Sequence, residues 1–171
     1  MLKEKMLNAL NEQINAEQYS ALLYMSMSAY FHDKGLPGFA NWMYVQCQEE
    51  LSHANKFFKY IVDRGGRVKI KAIEQMPTTW DGLIDAYEAT LEHEQMVTGL
   101  INNLMEVAIS EKDHAAQSFL RWYVDEQVEE EANVQEILDT LKLVGKQGNG
   151  IFMLDREMRQ RTFVDDTQAA E

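Results

Sequence analysis

Apolar residues recur at spacings of three and four along four long stretches of the chain, the period of helices that each bury one face. The first stripe reads Leu7, Leu10, Ile14, Glu17, Ala21, Tyr24, Ser28, Phe31, and the second reads Phe39, Trp42, Met43, Gln46, Glu50, His53, Phe57, Ile61. The third reads Leu83, Tyr87, Thr90, Glu94, Val97, Ile101, Leu104, Ala108, and the fourth reads Phe119, Tyr123, Gln127, Glu130, Val134, Ile137, Leu141. Helix breakers fall between these stretches: Gly35, Pro37 and Gly38; Gly65 and Gly66; Pro77 and Gly82; Gly145, Gly148 and Gly150. Only Gly99 lies inside an unbroken stretch. Glycine and proline punctuate helices, so the pattern predicts an all-α chain. The expected helices cover residues 2–31, 37–64, a third running from an N-cap at Thr79 or Asp81 to 109, 113–144, and a short fifth over 151–163. The acidic tail from Asp165 to Glu171 is expected to fray.

Four helices of nearly 30 residues would each be roughly 40–45 Å long. The first and second, and the third and fourth, are joined by short turns, so each pair is antiparallel. The second and third are joined by about 15 residues, which reach ~50 Å when extended. That spans the length of a bundle, where a hairpin would need only a few residues. The second and third helices are therefore expected to be parallel, in a four-helix bundle with one long crossover. We expect one domain: residues 1–145 form the bundle, 146–163 add a short C-terminal helix, and 164–171 form a tail.

Every stripe is apolar at its ends and polar in its middle. Glu17, Glu50, Glu94 and the Gln127–Glu130 pair all lie about 13 to 17 residues into their helices, which is mid-height whichever way each helix runs. A single polar residue in a stripe usually means only that the helix is rotated, and Glu-x-x-His, as in Glu50 and His53, is common by chance. Four helices interrupted at one height carry more weight. Four carboxylates, an imidazole and an amide should then converge in the interior. Isolated buried charge costs several kcal/mol or more, and no Lys or Arg occupies these stripes to offset it. A pair of metal ions would supply the missing positive charge, with one Glu bridging them.

Composition narrows the choice. The 171 residues include 28 Asp and Glu against 16 Lys and Arg, for a net charge of −12. That balance argues against a nucleic-acid partner, because phosphate recognition needs a basic face. The lone Cys47 excludes an intramolecular disulfide framework or a Cys-rich zinc module. No apolar run approaches the ~20 residues of a membrane span. The first ten residues lack the apolar core of a signal peptide, so a cytoplasmic location is expected. A ligand set of oxygens with one nitrogen suits iron or manganese.

At these residues the sequence resembles the non-haem ferritins of bacteria and archaea, over almost the whole chain. The most telling stretches are Asn15-Ala16-Glu17, then Gln48-Glu49-Glu50-Leu51-Ser52-His53, and Tyr123 to Glu131. The resemblance implies a ferritin-like bundle with a ferroxidase centre. Glu17, Glu50 and His53 would hold one iron; Glu50, Glu94 and Glu130 would hold a second, with Gln127 close by. Glu49, Glu126 and Glu129, with Glu130, match a third iron site, although a solvated acidic face is the alternative for the first three. Tyr24 matches a tyrosine near the centre, where it either donates a hydrogen bond or an electron, or simply fills the core. Helix four carries Gln127-x-x-Glu130 where bacterioferritins have Glu-x-x-His. The second site thus loses an imidazole, and weaker, exchangeable metal is expected there. Leu51 and Ser52 stand where bacterioferritins place a haem-binding methionine, so no haem is expected.

The resemblance further implies an iron-storage protein that oxidises Fe(II) with O₂ or H₂O₂ and keeps the ferric mineral inside a 24-subunit shell. The fifth helix would meet its copies at the four-fold axes through Ile151, Leu154 and Met158, or fold back as a cap on its own bundle. A diiron redox enzyme would share the bundle but would want a second histidine and an organic substrate pocket. A smaller DNA-protecting cage would place its ligands across a subunit interface. The remaining histidines, His93 and His114, are expected at the surface, with His32 at the end of the first helix. Cys47, Trp42, Trp80 and Trp122 are expected to pack.

Overall fold

The computed structural model describes residues 2–145, 148–165 and 167, and within them five helices follow one another without a strand. They are α1 (Glu4–Asp33), α2 (Pro37–Asp63), α3 (Leu83–Ser110), α4 (His114–Val144) and α5 (Gly148–Met158). The first four form the bundle. Pro37 opens α2, where its missing N–H costs nothing. Asp113 caps α4 by accepting a hydrogen bond from the Ala116 N–H at 3.1 Å. The same carboxylate receives both Arg64 contacts, at 2.9 and 3.2 Å, which ties the end of α2 to the start of α4.

The apolar core is in two pieces. One cluster joins Tyr24, Met27 and Phe31 of α1, Phe39 and Met43 of α2, Ala86 and Tyr87 of α3, and Val134, Leu138 and Leu141 of α4. The other joins Met6, Leu10 and Ile14 of α1, Phe57 and Ile61 of α2, Ile101, Leu104 and Ala108 of α3, and Ala116 and Leu120 of α4. Helices α2 and α3 both start in the first cluster and end in the second, so they are parallel. The long connection between them makes this possible by lying along α1. Asn11 accepts from the Lys69 N–H at 2.6 Å and donates to the Arg67 carbonyl at 3.2 Å. Farther along, Ser26 donates to the Pro77 carbonyl at 2.6 Å and Tyr30 to that of Trp80 at 2.9 Å. The crossover therefore travels from the first third of α1 to its end, as its length requires.

Several boundaries differ from the sequence expectation. Helix α3 is capped by Gly82, at φ +97°, rather than by Thr79 or Asp81. The Tyr30 hydroxyl accepts from the Gly82 N–H at 3.2 Å, so tertiary contact fixes this start in place of a side-chain cap. Helix α5 begins earlier and ends earlier than residues 151–163, with Gly148 and Gly150 inside its first turn. In this chain α5 folds back against its own bundle. Leu154 and Met158 are buried in the first cluster with Ile151 partly buried beside them, whereas Phe152 and Met153 face outward. Asp155 accepts from the N–H groups of Gly38 and Phe39, at 2.7 and 3.2 Å, so its carboxylate sits at the N-terminus of α2. Of the expected tail, Asp165 and Thr167 are described, and the Thr167 carbonyl accepts from Lys56; residues 166 and 168–171 lie outside the described residues.

The approach of α5 leaves no room at Gly38, where a Cβ would stand 1.6 Å from the Asp155 carbonyl oxygen. Gly38→Ala should therefore undock α5 at a cost of about 1–3 kcal/mol. Hydrogen exchange should then show lost protection across 148–158 with α1 to α4 still protected. Unchanged protection of α5 would contradict this packing.

Candidate metal centre

Between the two apolar clusters lies a buried polar layer to which all four bundle helices contribute. Glu17, Glu50, His53, Glu94, Gln127 and Glu130 are all buried, none more than 5% exposed. Each occupies the core stripe of a helix that must bury that face, so the helix carries the carboxylate inward with its apolar neighbours.

Ligand atoms of Glu17, Glu50 and His53 lie within 4.8 Å of one another, and so do those of His53, Glu126 and Glu130. His53 stands between the two groups. Its Nδ1 is 3.5 Å from Glu50 Oε2 and its Nε2 is 4.0 Å from Glu126 Oε1. Nε2 is buried with no hydrogen-bond partner among the described residues. A buried nitrogen left in this state among carboxylates is a suitable donor for a cation. The His53 backbone is held by the Tyr123 hydroxyl, which donates to its carbonyl at 2.9 Å.

Hydrogen bonds orient the other carboxylates. Gln13 donates to Glu17 Oε1 at 2.9 Å, and Gln46 donates to Glu130 Oε2 at 2.6 Å. Glu94 receives the Tyr24 hydroxyl on Oε1 and the Gln127 amide on Oε2, the latter at 3.2 Å. Gln127 also donates to the Glu94 carbonyl and to Thr98 Oγ1, so it positions Glu94 from several sides. Glu94 itself lies outside both groups of close ligand atoms. Glu49 and Glu126 are partly buried beside the layer, and Glu129 is exposed. Glu49 is ion-paired with Arg161.

Electrostatics reflect this crowding. Burial, then the charge of Glu94, raises the Glu50 carboxyl well above the usual carboxylate range. Burial, then Glu94 and Glu50, does the same to Glu130. Glu17 is raised by burial and by Glu50. Glu94 is raised by burial, against the lowering effect of its Tyr24 and Gln127 hydrogen bonds. The Tyr24 hydroxyl is raised by burial and by Glu94, so it stays protonated and donating.

The structure corrects one placement. His93 is buried rather than at the surface, with Nε2 2.8 Å from Ser20 Oγ and its ring edge-on to Tyr24. Burial holds its pKa down to about 4, so the ring is neutral. His114 and His32 are exposed. Sequence reasoning passed over Gln13, although its i, i+4 spacing to Glu17 was a readable signal. It also missed Arg161, which lies beyond the last helix and outside any periodic pattern.

The ferritin-like domain family matches residues 7–144. The bacterial non-heme ferritin of Bacteroides fragilis strain 638R is 47% identical over 161 residues, covering 94% of this chain and 100% of the relative. The bacterial non-heme ferritin of Campylobacter jejuni is 38% identical over 159 residues, covering 93% and 95%. Among solved structures, a closed form engineered from the Archaeoglobus fulgidus ferritin superposes with a TM-score of 0.95 at 51% identity, covering 96% of this chain and 100% of that one. The chain belongs to the ferritin-like family. Within it, the chain sits among the non-haem ferritins of bacteria and archaea, and family and fold support iron storage as its general function.

The raised carboxyls make metal-free stability depend on pH. Each of the four binds its proton more tightly in the folded chain than at the ordinary value of 4.5. The folded state then holds more protons than the unfolded one, so stability falls as pH rises from about 4.5 through the raised values. His93 acts oppositely between about 4 and 6.5, favouring the fold as pH rises. In chelator, Glu50→Gln combined with Glu130→Gln should raise Tm at pH 7 and flatten its decline with pH. Divalent cation binding should release protons, measurable by calorimetry in buffers of different ionisation enthalpy. A parent Tm that climbs steadily from pH 5 to 8 in chelator, with no gain from the double variant, would contradict this account.

Proposed function

We propose that this chain is a ferroxidase and iron-storage ferritin. The observation that carries the reading is the buried layer to which four helices contribute Glu17, Glu50, Glu94 and Glu130, with a histidine Nε2 in it that has no hydrogen-bond partner among the described residues. Fe(II) is the substrate. Glu17, Glu50 and His53 would bind one ion, and Glu50, Glu94 and Glu130 the other, with Glu50 shared. Anionic oxygens stabilise Fe(III) more than Fe(II), so the same ligands that bind the ions favour their oxidation. Two ions give up one electron each. Those two electrons and two protons take O₂ to H₂O₂, or H₂O₂ to two waters. The ferric product then hydrolyses and moves on to the mineral.

Gln127 supplies an amide to Glu94 where an imidazole would bind metal directly, which suits a site that passes its ion onward. Glu49, Glu126 and Glu129, with Glu130, would form a third iron site on the way out. The closeness of Glu126 to His53 and Glu130 supports this reading. Tyr24 keeps Glu94 aligned through its hydroxyl and is placed to give an electron.

A single bundle has no cavity for mineral, so storage requires a shell, which we propose has 24 subunits. The outward face of α5, with Phe152 and Met153 at 63% and 71% exposure, offers apolar surface for such contacts. No helix among the described residues is long and apolar enough to cross a membrane. We propose a cytoplasmic location.

Glu50→Ala should slow initial Fe(II) oxidation by about 100-fold or more, followed by stopped-flow absorbance. Its metal-free Tm should rise, because a buried carboxyl that is costly to ionise has gone; full activity would refute the bridging role. Glu126→Gln with Glu129→Gln should leave the first two ions binding normally while changing the O₂ consumed per iron. Light scattering should give the mass of a 24-subunit particle, and a monomer or dimer that takes up no iron would overturn the storage reading.

A further inference from the structure

The chain that follows α5 does not leave the bundle. Asn41 donates to the carbonyls of Met158 and Arg161, at 3.2 and 2.9 Å, and pins this segment along α2. From there Arg161 reaches toward the polar layer. Its side chain is 23% exposed and lies over the Trp42 ring at 4.4 Å. One guanidinium nitrogen donates to Glu49 Oε2 at 2.5 Å. The other donates to Gln46 Oε1 at 2.8 Å and to the Trp42 carbonyl at 3.3 Å.

Two consequences follow. The first concerns Glu49. A planar, permanently charged fork in contact with its carboxylate occupies space and charge that a metal ion would need. The second concerns Gln46. With its oxygen facing Arg161, its amide nitrogen must face the other way, and it donates to Glu130 Oε2 at 2.6 Å. Arg161 thus touches Glu49 directly and Glu130 through one amide. A cleft of about 340 Å³ adjoins the guanidinium, and Glu136 and Glu157 line it. A displaced Arg161 has room there and acidic partners to meet.

We propose that Arg161 is a built-in counter-cation that holds the third metal site closed. Resting on the reading that Glu49 and Glu130 belong to that site, Arg161 is a positioning residue. It pairs with Glu49 and fixes Glu130 through Gln46 until a cation displaces it into the cleft. The site then fills last, and only when metal is abundant enough to compete with the guanidinium.

Zinc titration of the metal-free full chain by calorimetry tests this, because zinc is not oxidised. Arg161→Gln should tighten the weakest of three binding steps by about tenfold, leave the tightest step unchanged, and alter the middle step, which shares Glu130, by far less than the weakest. Arg161→Lys, which keeps the charge, should return that step toward the parent affinity. Glu49→Gln should remove the step in either background. If Glu49→Gln removes the step but Arg161→Gln leaves it unchanged or weakens it, the counter-cation role is wrong and the third site stands. If Glu49→Gln changes no step, the third site and the proposal built on it both fall.

Discussion

The rest of the structure is organised around the mutual repulsion of carboxylates held in a place with almost no water. Glu17, Glu50, Glu94 and Glu130 are each buried to within a few per cent, and the charge of Glu94 adds to the cost of ionising Glu50 and Glu130, as that of Glu50 does for Glu17 and Glu130. Such a layer is tolerable in three ways: the groups keep protons, they receive hydrogen bonds, or they share cations. The chain uses the second through Gln13, Gln46, Tyr24 and Gln127. That leaves the first and third in competition, so proton occupancy and metal occupancy become two states of one device. The apolar ends of the bundle hold the helices closed around a middle that does not favour closure by itself.

Much of the fold could be read from the stripes and the breakers. The stripe positions named from Leu10 to Phe31, and all eight in α2, are buried as the 3.6-residue period requires. The connection between α2 and α3 has a length that only a parallel arrangement uses, and its hydrogen bonds to Asn11, Ser26 and Tyr30 show the path it takes. Helix ends were less legible where distant residues decide them. Gly82 begins α3 because Tyr30 is there to meet its N–H, and Tyr30 belongs to another helix. Helix α5 stops at Met158 where the following residues begin to bond to Asn41, a partner more than a hundred positions away.

The polar layer was legible for the same reason as the core: a carboxylate on a buried stripe goes inward with it. What periodicity could not convey is which carboxylates come closest. Glu126 is off the stripe of α4, yet it joins His53 and Glu130 in a group of close ligand atoms, whereas Glu94, on the stripe of α3, joins neither group. His93 shows the reverse error. It precedes Glu94 on the edge of the α3 stripe, but α1 presents Ser20, Tyr19 and Tyr24 opposite that edge and buries it. A stripe describes one helix, whereas the width of the buried face depends on what stands across from it.

The divided core has a consequence for how the bundle yields. Every long helix is anchored at both extremities by its own set of apolar partners, and the two sets do not touch across the polar belt. A flaw in one set therefore weakens one extremity while the other keeps its grip. The belt can swell, shift a side chain or trade one occupant for another between two fixed clamps, much as a joint bends without its bones coming apart.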